Sequence, residues 1–264
     1  MSDSIRVANR NGICEISLDR PNTHNAFDDG LISELTAALQ AANNDASIWG
    51  VVLTGEGKTF SAGADANWMR SMASASELEN RNDSLRLAEL MRTLNFLPKP
   101  TVARVNGSAY GGGVGLIACC DIAIGIDDAK FSLSEAKLGL VPAVISPYVV
   151  AAIGVRHARR LFVSAEIIDG EEAFRIGLLH KAVSRSELDN AVAHTLHHLR
   201  KCGAHAQAEA KALALRVAGL TREESLRIDI ENAALIARLR VSEEGQEGLT
   251  AFLEKRPPRW ISEG

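Results

Sequence analysis

Phe60-Ser61-Ala62-Gly63-Ala64-Asp65 is the stretch that decides the fold, together with the triplet Gly111-Gly112-Gly113 further along the chain. Each segment follows a short apolar run that is typical of a strand, at residues 51–54 and 101–105. Small residues between a strand and a helix leave backbone N–H groups free to point at an anion. Two such groups from two loops, meeting at one oxygen atom, would form an oxyanion hole.

Short strands and helices alternate on both sides of these loops. Asn11-Gly12 between alternating apolar runs predicts a hairpin over residues 5–18. Apolar runs and apolar spacing predict strands at 51–54, 101–105, 121–124, 130–133 and 177–183, and helices at 28–43, 75–97, 114–120, 146–153, 158–163 and 170–176. This alternation predicts an α/β core with crossover connections.

The last part of the chain is helical by its pattern. Apolar residues recur at spacings of three and four in segments 188–199, 204–217 and 223–239. Three helices without strands predict a separate packing unit, of a kind that often buries its apolar stripe against another subunit. We place the boundary near residue 190, with a core at 1–190 and a helical oligomerisation region at 191–264.

The composition is that of a globular protein. The chain has 264 residues, of which 46% are hydrophobic and 23% charged, and its formal net charge of -4 gives no signal for nucleic-acid binding. Its four cysteines lack zinc-ligand spacing, and Cys119-Cys120 in an apolar run indicates buried free thiols. Residues 1–5 lack the features of a signal peptide, and no apolar run reaches the ~18 residues of a membrane helix. We therefore expect a soluble cytoplasmic protein that binds no membrane.

Several segments together resemble the crotonase (enoyl-CoA hydratase/isomerase) superfamily in order and spacing. They are Ser61 to Asp65, Asn106 to Gly113, Cys120 to Ala123, Phe131 to Pro142 and the tail Gly248 to Arg256. The resemblance implies a spiral of β-β-α units followed by a helical trimerisation region. It also implies an acyl-coenzyme A thioester as substrate, with no separate cofactor, and a homotrimer or a dimer of trimers.

The same resemblance implies the site residues. The backbone N–H groups of Ala64 and Gly112 would hold the thioester oxygen. Coenzyme A would contact Asn22, Thr23, His24, Ala62, Asp65, Phe252 and Lys255, with Lys255 near the 3′-phosphate. We expect the substrate pocket to include Trp68, Met69, Gly115, Pro142 and Ala143, although packing in the first turn of a helix explains Trp68 and Met69 equally well. No metal ion is implied.

The chain departs from the family in its acidic residues. A typical hydratase of this family carries two catalytic glutamates, and the matching positions here are Gly115 and Glu135. Water addition needs one group to activate water and one to protonate Cα. Glu135 alone could do both in a concerted syn addition, or could move a proton between two carbons, which is isomerase chemistry. Either role needs partial burial, so we expect a raised pKa for Glu135.

One subgroup matches the chain best after Glu135. Residues 140–150 lack the Gly-Gly-Thr-Gln run of short-chain hydratases. With residues 113–116 and 119–121, they resemble bacterial 3-methylglutaconyl-CoA and isohexenylglutaconyl-CoA hydratases of leucine and acyclic-terpene degradation. The resemblance implies a branched substrate with a second carboxylate. The sequence does not show which residue of the protein would bind that carboxylate.

Other interpretations stay open at this point. The protein could be an isomerase, or a non-catalytic coenzyme A-binding member. Gly113-Val114-Gly115-Leu116-Ile117-Ala118 approximates a dinucleotide-binding G-x-G-x-x-A motif. His194, His197 and His198 could bind a metal, although a solvated helix face is the simpler explanation. The basic residues of the C-terminal region, including Arg227 and Arg240, are interleaved with glutamates and indicate a salt-bridged surface.

Overall fold

The computed structural model describes residues 4–261. Residues 1–3, on which the signal-peptide prediction partly rests, and the last three residues of the predicted 191–264 region lie outside it. The strands are β1 Ile5–Arg10, β2 Ile13–Leu18, β3 Gly50–Gly55, β4 Thr59–Ser61, β5 Thr101–Val105, β6 Ser108–Tyr110, β7 Ile122–Ile126, β8 Lys130–Ser132, β9 Ile168–Asp169 and β10 Lys181–Val183. The helices are α1 Asp29–Asn44, α2 Ala66–Ser74, α3 Glu77–Asn95, α4 Gly112–Cys119, α5 Ser146–Ser164, α6 Gly170–Arg175, α7 Leu188–Leu199, α8 Ala204–Val217, α9 Arg222–Arg240 and α10 Glu243–Glu254.

The strands form two sheets that the chain visits in turn. The larger has the order β1-β2-β3-β5-β7-β10 and is parallel from β2 onward, and the smaller has the order β4-β6-β8-β9. After the first hairpin, a strand of the larger sheet leads to a strand of the smaller sheet and then to helix. This unit occurs as β3-β4 with α2 and α3, as β5-β6 with α4, and as β7-β8 with α5. The predicted spiral of β-β-α units is therefore confirmed.

Local sequence explains the main elements. All six residues of β3 are buried, as expected for an inner parallel strand covered on both faces. In the hairpin turn, Asn11 and Gly12 have φ angles of 52° and 78°, the conformation that an Asn-Gly turn adopts readily. Cys119 and Cys120 are buried free thiols, as predicted.

Helix boundaries differ from the sequence prediction in three places. The predicted helix at 75–97 is preceded by α2, and Ser76 separates the two by forming a capping box with Glu79. The segments 146–153 and 158–163 form one helix, α5, which is bent at Gly154, where φ is 72°. A fourth C-terminal helix, α10, follows the three that were predicted.

The C-terminal helices differ in what they contact. Helix α9 packs on α3, while α10 packs on α2 and on the turn Ser134–Leu138, so both lie against the core. Helix α8 buries none of its own residues in this single chain. The domain boundary near residue 190 and the trimerisation role stay predictions. Within residues 4–261, no helix is both long and apolar enough to cross a membrane.

Candidate active site

Three neighbouring strands of the smaller sheet bring the predicted site residues together. Strands β4, β6 and β8 are parallel, so their carboxyl ends share one edge of the sheet. The loops that follow them carry Ala64, Gly112 and Glu135. These loops touch: a Cβ atom on Gly63 would lie 2.8 Å from the carbonyl oxygen of Tyr110, and one on Gly111 would lie 3.1 Å from Glu135 Oε1.

An isolated parallel β-bridge between Phe27 and Ala64 sets the direction of the Ala64 backbone N–H. The Phe27 N–H donates to the Gly63 carbonyl over 2.6 Å, and the Asp65 N–H donates to the Phe27 carbonyl over 2.8 Å. In a parallel bridge of this kind, the residue between the two contacts points its own N–H away from the partner. Ala64, like Phe27, lines a cavity.

The backbone N–H of Gly112 is left free by the start of a helix. Gly112 is the first residue of α4, and the first N–H groups of a helix have no acceptor within it. A Cβ atom at this position would lie 2.4 Å from the ring of Phe27, so glycine is required for the loops to approach. Gly112 and Ala64 line the same cavity, and their two amides can serve one oxygen anion.

Glu135 provides the acid–base group of the cavity. It lies in the turn Ser134–Leu138, and no described residue forms a hydrogen bond with its buried Oε2 atom. Burial raises the pKa of Glu135 to about 7, because the charged form loses hydration that no nearby cation replaces. Glu135 can therefore accept or release a proton near neutral pH.

The cavity encloses about 360 Å³ and is mostly apolar. Nine of the site residues predicted from the sequence line it: Ala62, Ala64, Trp68, Met69, Gly112, Glu135, Pro142, Ala143 and Phe252. Six others do not line it: Asn22, Thr23, His24, Asp65, Gly115 and Lys255. The roles assigned to all of these residues stay predictions.

Five of the six residues that do not line the cavity either form contacts outside it or are exposed. The Asp65 carboxylate caps α2, where it accepts the N–H groups of Asn67 and Trp68, and its other oxygen lies 3.5 Å from Arg20. The His24 ring lies 3.2 Å from the Thr59 hydroxyl. The other three nominated coenzyme A contacts are exposed residues, namely Asn22, Thr23 and Lys255.

Gly115 lies behind the cavity wall, which corrects its predicted place in the pocket. A Cβ atom on Gly115 would lie 2.3 Å from Cγ2 of Ile145, and Ile145 lines the cavity. Ile145 therefore fills the space that a side chain at position 115 would need. Among the described residues that line the cavity, Glu135 is the only acidic one.

Two alternative sites from the sequence can now be judged. Gly113 and Gly115 lie within α4 and pack against Ser61 and Ile145, whereas a dinucleotide motif needs glycines in the turn before a helix. The dinucleotide interpretation is therefore wrong. The Nε2 atoms of His194 and His198 lie 3.1 Å apart, and residues 4–261 hold no group of three or more metal-binding side chains.

Arg240 is the main site residue that sequence reasoning missed. The sequence pattern placed it, with Arg227, on a salt-bridged surface. That prediction fits Arg227, which pairs with Glu224 and Glu231, but it does not fit Arg240. Arg240 lines the cavity and donates to Asp83 over 3.1 Å. Its position four residues after the buried Ile236 was the available signal, because residues four apart share one helix face.

Comparison with known proteins gives a consistent result. The family model described as enoyl-CoA hydratase/isomerase matches residues 8–263. The crotonyl-CoA hydratase of Syntrophomonas wolfei is 31% identical over 98% of this chain and 98% of its own length. The crystal structure of an enoyl-CoA hydratase from Shewanella pealeana is 42% identical, with a TM-score of 0.80 over 97% of this chain and 96% of that one. The crystal structure of an enoyl-CoA hydratase from Mycobacterium avium is 31% identical, with a TM-score of 0.84 over 99% of this chain and 100% of that one.

Proposed function

Since this chain belongs to the enoyl-CoA hydratase/isomerase family, we propose that it is a hydro-lyase that adds water across the double bond of an enoyl-CoA thioester. Relatives over nearly the whole chain are named as hydratases, which agrees with the sequence expectation of an enzyme of this type. The observation that carries the proposal is that Glu135, whose Oε2 atom is buried, lines the same cavity as Ala64 and Gly112.

In the proposed reaction, the two amides act on the thioester oxygen. The N–H groups of Ala64 and Gly112 donate hydrogen bonds to this oxygen, which becomes negative when the Cα–Cβ double bond is attacked. Such donors stabilise the enolate because they already point at the site of developing charge. Coenzyme A enters as part of the substrate, and no separate cofactor takes part.

One glutamate completes the proton transfers. Ionised Glu135 takes a proton from water as the water oxygen bonds to Cβ, and the same carboxyl then gives a proton to Cα. The sum is one hydroxyl on Cβ and one hydrogen on Cα, and Glu135 ends ionised. This scheme suits a cavity in which Ile145 occupies the space beside Gly115 and no second carboxylate lines the wall among the described residues.

For the acyl group, we propose a branched glutaconyl-type chain such as 3-methylglutaconyl or isohexenylglutaconyl. The apolar wall suits a branch, and the guanidinium of Arg240 suits a second carboxylate. A place in leucine or acyclic-terpene catabolism, a homotrimer or dimer of trimers, and a cytoplasmic location remain part of this proposal.

A single acidic residue also favours a second candidate, a shift of the enoyl double bond. Glu135 would then remove a proton from one carbon and return it to another, with no change in mass. This isomerase reaction uses the same two amides and differs from hydration only in whether water is a reactant.

Hydration can be tested with an absorbance assay combined with mass spectrometry. We expect loss of the conjugated enoyl-thioester absorbance with a mass gain of one water, and a 10²- to 10⁴-fold lower kcat in Glu135→Gln. Glu209→Gln, an exposed position on α8, is the matched control and should keep wild-type activity. A double-bond shift without mass change would favour the isomerase, and no reaction across a panel of enoyl-CoA thioesters would indicate a non-catalytic binding protein.

A further inference from the structure

One wall of the cavity carries unused hydrogen-bond donors. This wall is formed by α2, α3 and α9, and its apolar part includes Met72, Leu87 and Ile236. Trp68 of α2 and Arg240 of α9 bring polar groups to it. The guanidinium carbon of Arg240 lies 5.9 Å from the centre of a Trp68 ring, within the range of a cation–π contact.

The first unused donor is the indole N–H of Trp68. Its Nε1 atom is buried and has no hydrogen-bond partner among residues 4–261, although the side chain lines the cavity. A buried donor without an acceptor is unfavourable, and native proteins contain few of them. Because Nε1 itself is buried, an acceptor on a bound ligand would satisfy it after a small movement of the side chains around it.

The second set of unused donors belongs to Arg240. Its Nη1 donates to Asn80 Oδ1 over 3.2 Å and to Asp83 Oδ2 over 3.1 Å. Within the described part of the chain, Nε and Nη2 form no hydrogen bond. The Arg240 side chain is 15% exposed and lines the cavity.

Arg240 shares its buried carboxylate partner with a second arginine. Asp83 is 1% exposed and is shared, because its other oxygen accepts from Arg86 over 3.0 Å. Two arginines therefore meet one buried carboxylate, and Arg86 is also paired with the exposed Asp29 over 2.9 Å. Lys137, the other basic residue that lines the cavity among the described residues, is exposed, whereas Arg240 is partly buried.

We propose that Arg240 and the indole N–H of Trp68 bind a carboxylate at the end of the acyl chain remote from the thioester. Arg240 supplies the charge and up to two N–H groups, and Asn80 and Asp83 fix its orientation. Trp68 lies in the first turn of α2, directly after the Ala64 loop, so the two ends of the substrate are bound close together. The site thus selects short dicarboxylic acyl groups over neutral ones.

This inference rests on the proposed function, and a binding experiment separates the two. Glutaryl-CoA has a free distal carboxylate and no double bond to hydrate, and its distal methyl ester is the matched neutral probe. We expect calorimetry to show that the wild-type protein binds the acid roughly 10- to 150-fold more tightly than the ester, the range for hydrogen bonds to a charged group.

Variants assign the preference to residues. Arg240→Gln should bring the acid-to-ester ratio of Kd values close to one, and Trp68→Phe, which keeps an aromatic ring but loses the N–H, should reduce the preference by roughly threefold to tenfold. Arg238→Gln, an exposed position on the same helix, is the control and should keep the preference. If Arg240→Gln does not fold, Trp68→Phe decides.

Equal Kd values for acid and ester in the wild type would overturn the inference. So would a full preference that survives in Arg240→Gln or, where Trp68→Phe is the deciding variant, a preference that is undiminished from the wild type. Because neither probe is hydrated, selective binding without turnover of any enoyl-CoA would refute the proposed function and still support the carboxylate site. Hydration without selective binding would do the reverse.

Discussion

The Glu135 carboxyl shows how one residue acquires its chemistry from its neighbours. Its turn follows β8, and its Oε1 atom faces Gly111, where a Cβ atom would lie 3.1 Å away. No described cation pairs with it, and its Oε2 atom is buried without a partner. Loss of hydration therefore dominates, which raises the pKa of Glu135 to about 7.

This pKa predicts how the activity depends on pH. Only ionised Glu135 can accept the proton of water, so kcat/KM for hydration should fall about tenfold per pH unit below pH 7 and level off above it. A pH–rate profile with a crotonyl-CoA type substrate measures this. A profile whose midpoint stays near pH 4.5 would mean that Glu135 is as hydrated as a surface glutamate.

The same shift has a consequence for stability with a defined sign. The pKa is raised in the folded state, so the folded state binds more protons than the unfolded state between pH 4.5 and 7. The free energy of unfolding of the wild type, relative to Glu135→Gln, should therefore decrease by up to about 3 kcal/mol as pH rises through this window. Urea unfolding of the wild type and Glu135→Gln at pH 5 and pH 8 measures this difference, since the other titratable groups contribute equally to the pH dependence of both proteins.

At the scale of elements, α4 is a helix whose glycines allow close packing. Glycine at positions 112, 113 and 115 brings the helix against Phe27, Ser61 and Ile145. These contacts set the position of the first amide of α4 next to the Ala64 loop. Packing of α4 against α5 at Ile145 also closes the space in which a second glutamate would act.

We expect Gly115→Ala to destabilise the protein by about 1–3 kcal/mol, because the new methyl group would overlap Ile145 in a close-packed core. The measurement is chemical unfolding of a double-mutant cycle with Ile145→Ala. The double variant should be more stable than the sum of the two single effects predicts, since the alanine at 145 makes room. Simple additivity would show that the two positions do not compete for space.

At the scale of the whole molecule, α9 is held to α3 by buried charge pairs. Arg92 of α3 pairs with Asp229 of α9, and Asp83 of α3 pairs with Arg240 of α9. The Asp229 and Asp83 side chains are almost fully buried. Because Ile236 and Arg240 of the same helix line the cavity, these pairs connect the C-terminal helices to the substrate site.

Breaking one pair should therefore affect stability and binding together. We expect Asp229→Ala to lower the free energy of unfolding by about 3–5 kcal/mol, because Arg92, whose side chain is 13% exposed, would lose its carboxylate partner. The apolar double variant Arg92→Met with Asp229→Leu removes both charges and should be clearly more stable than the single variant. Thermal unfolding with and without a coenzyme A thioester measures both effects, and equal stability of the two variants would show that Arg92 reaches water.

The sequence by itself determined the repeated order of strands and helices and the Asn11-Gly12 hairpin, and the resemblance of short motifs named Ala64, Gly112 and Glu135 as candidate site residues. These are local properties, since apolar spacing, turn residues and short motifs act over a few neighbouring residues. Helix boundaries were less well determined where a cap or a bend decides them, as at Ser76 and Gly154.

Only the tertiary structure decided that Ile145 covers Gly115 and that Arg240 lies in the cavity wall instead of on the outer surface. It also decided that Glu135 loses its hydration without gaining a cation. Each of these depends on residues brought together from distant parts of the chain, Arg240 with Asp83 and Ile145 with Gly115. Burial and pairing of this kind follow from how elements pack in space, and a local pattern such as the four-residue spacing of Ile236 and Arg240 indicates a shared helix face but not the partner across it.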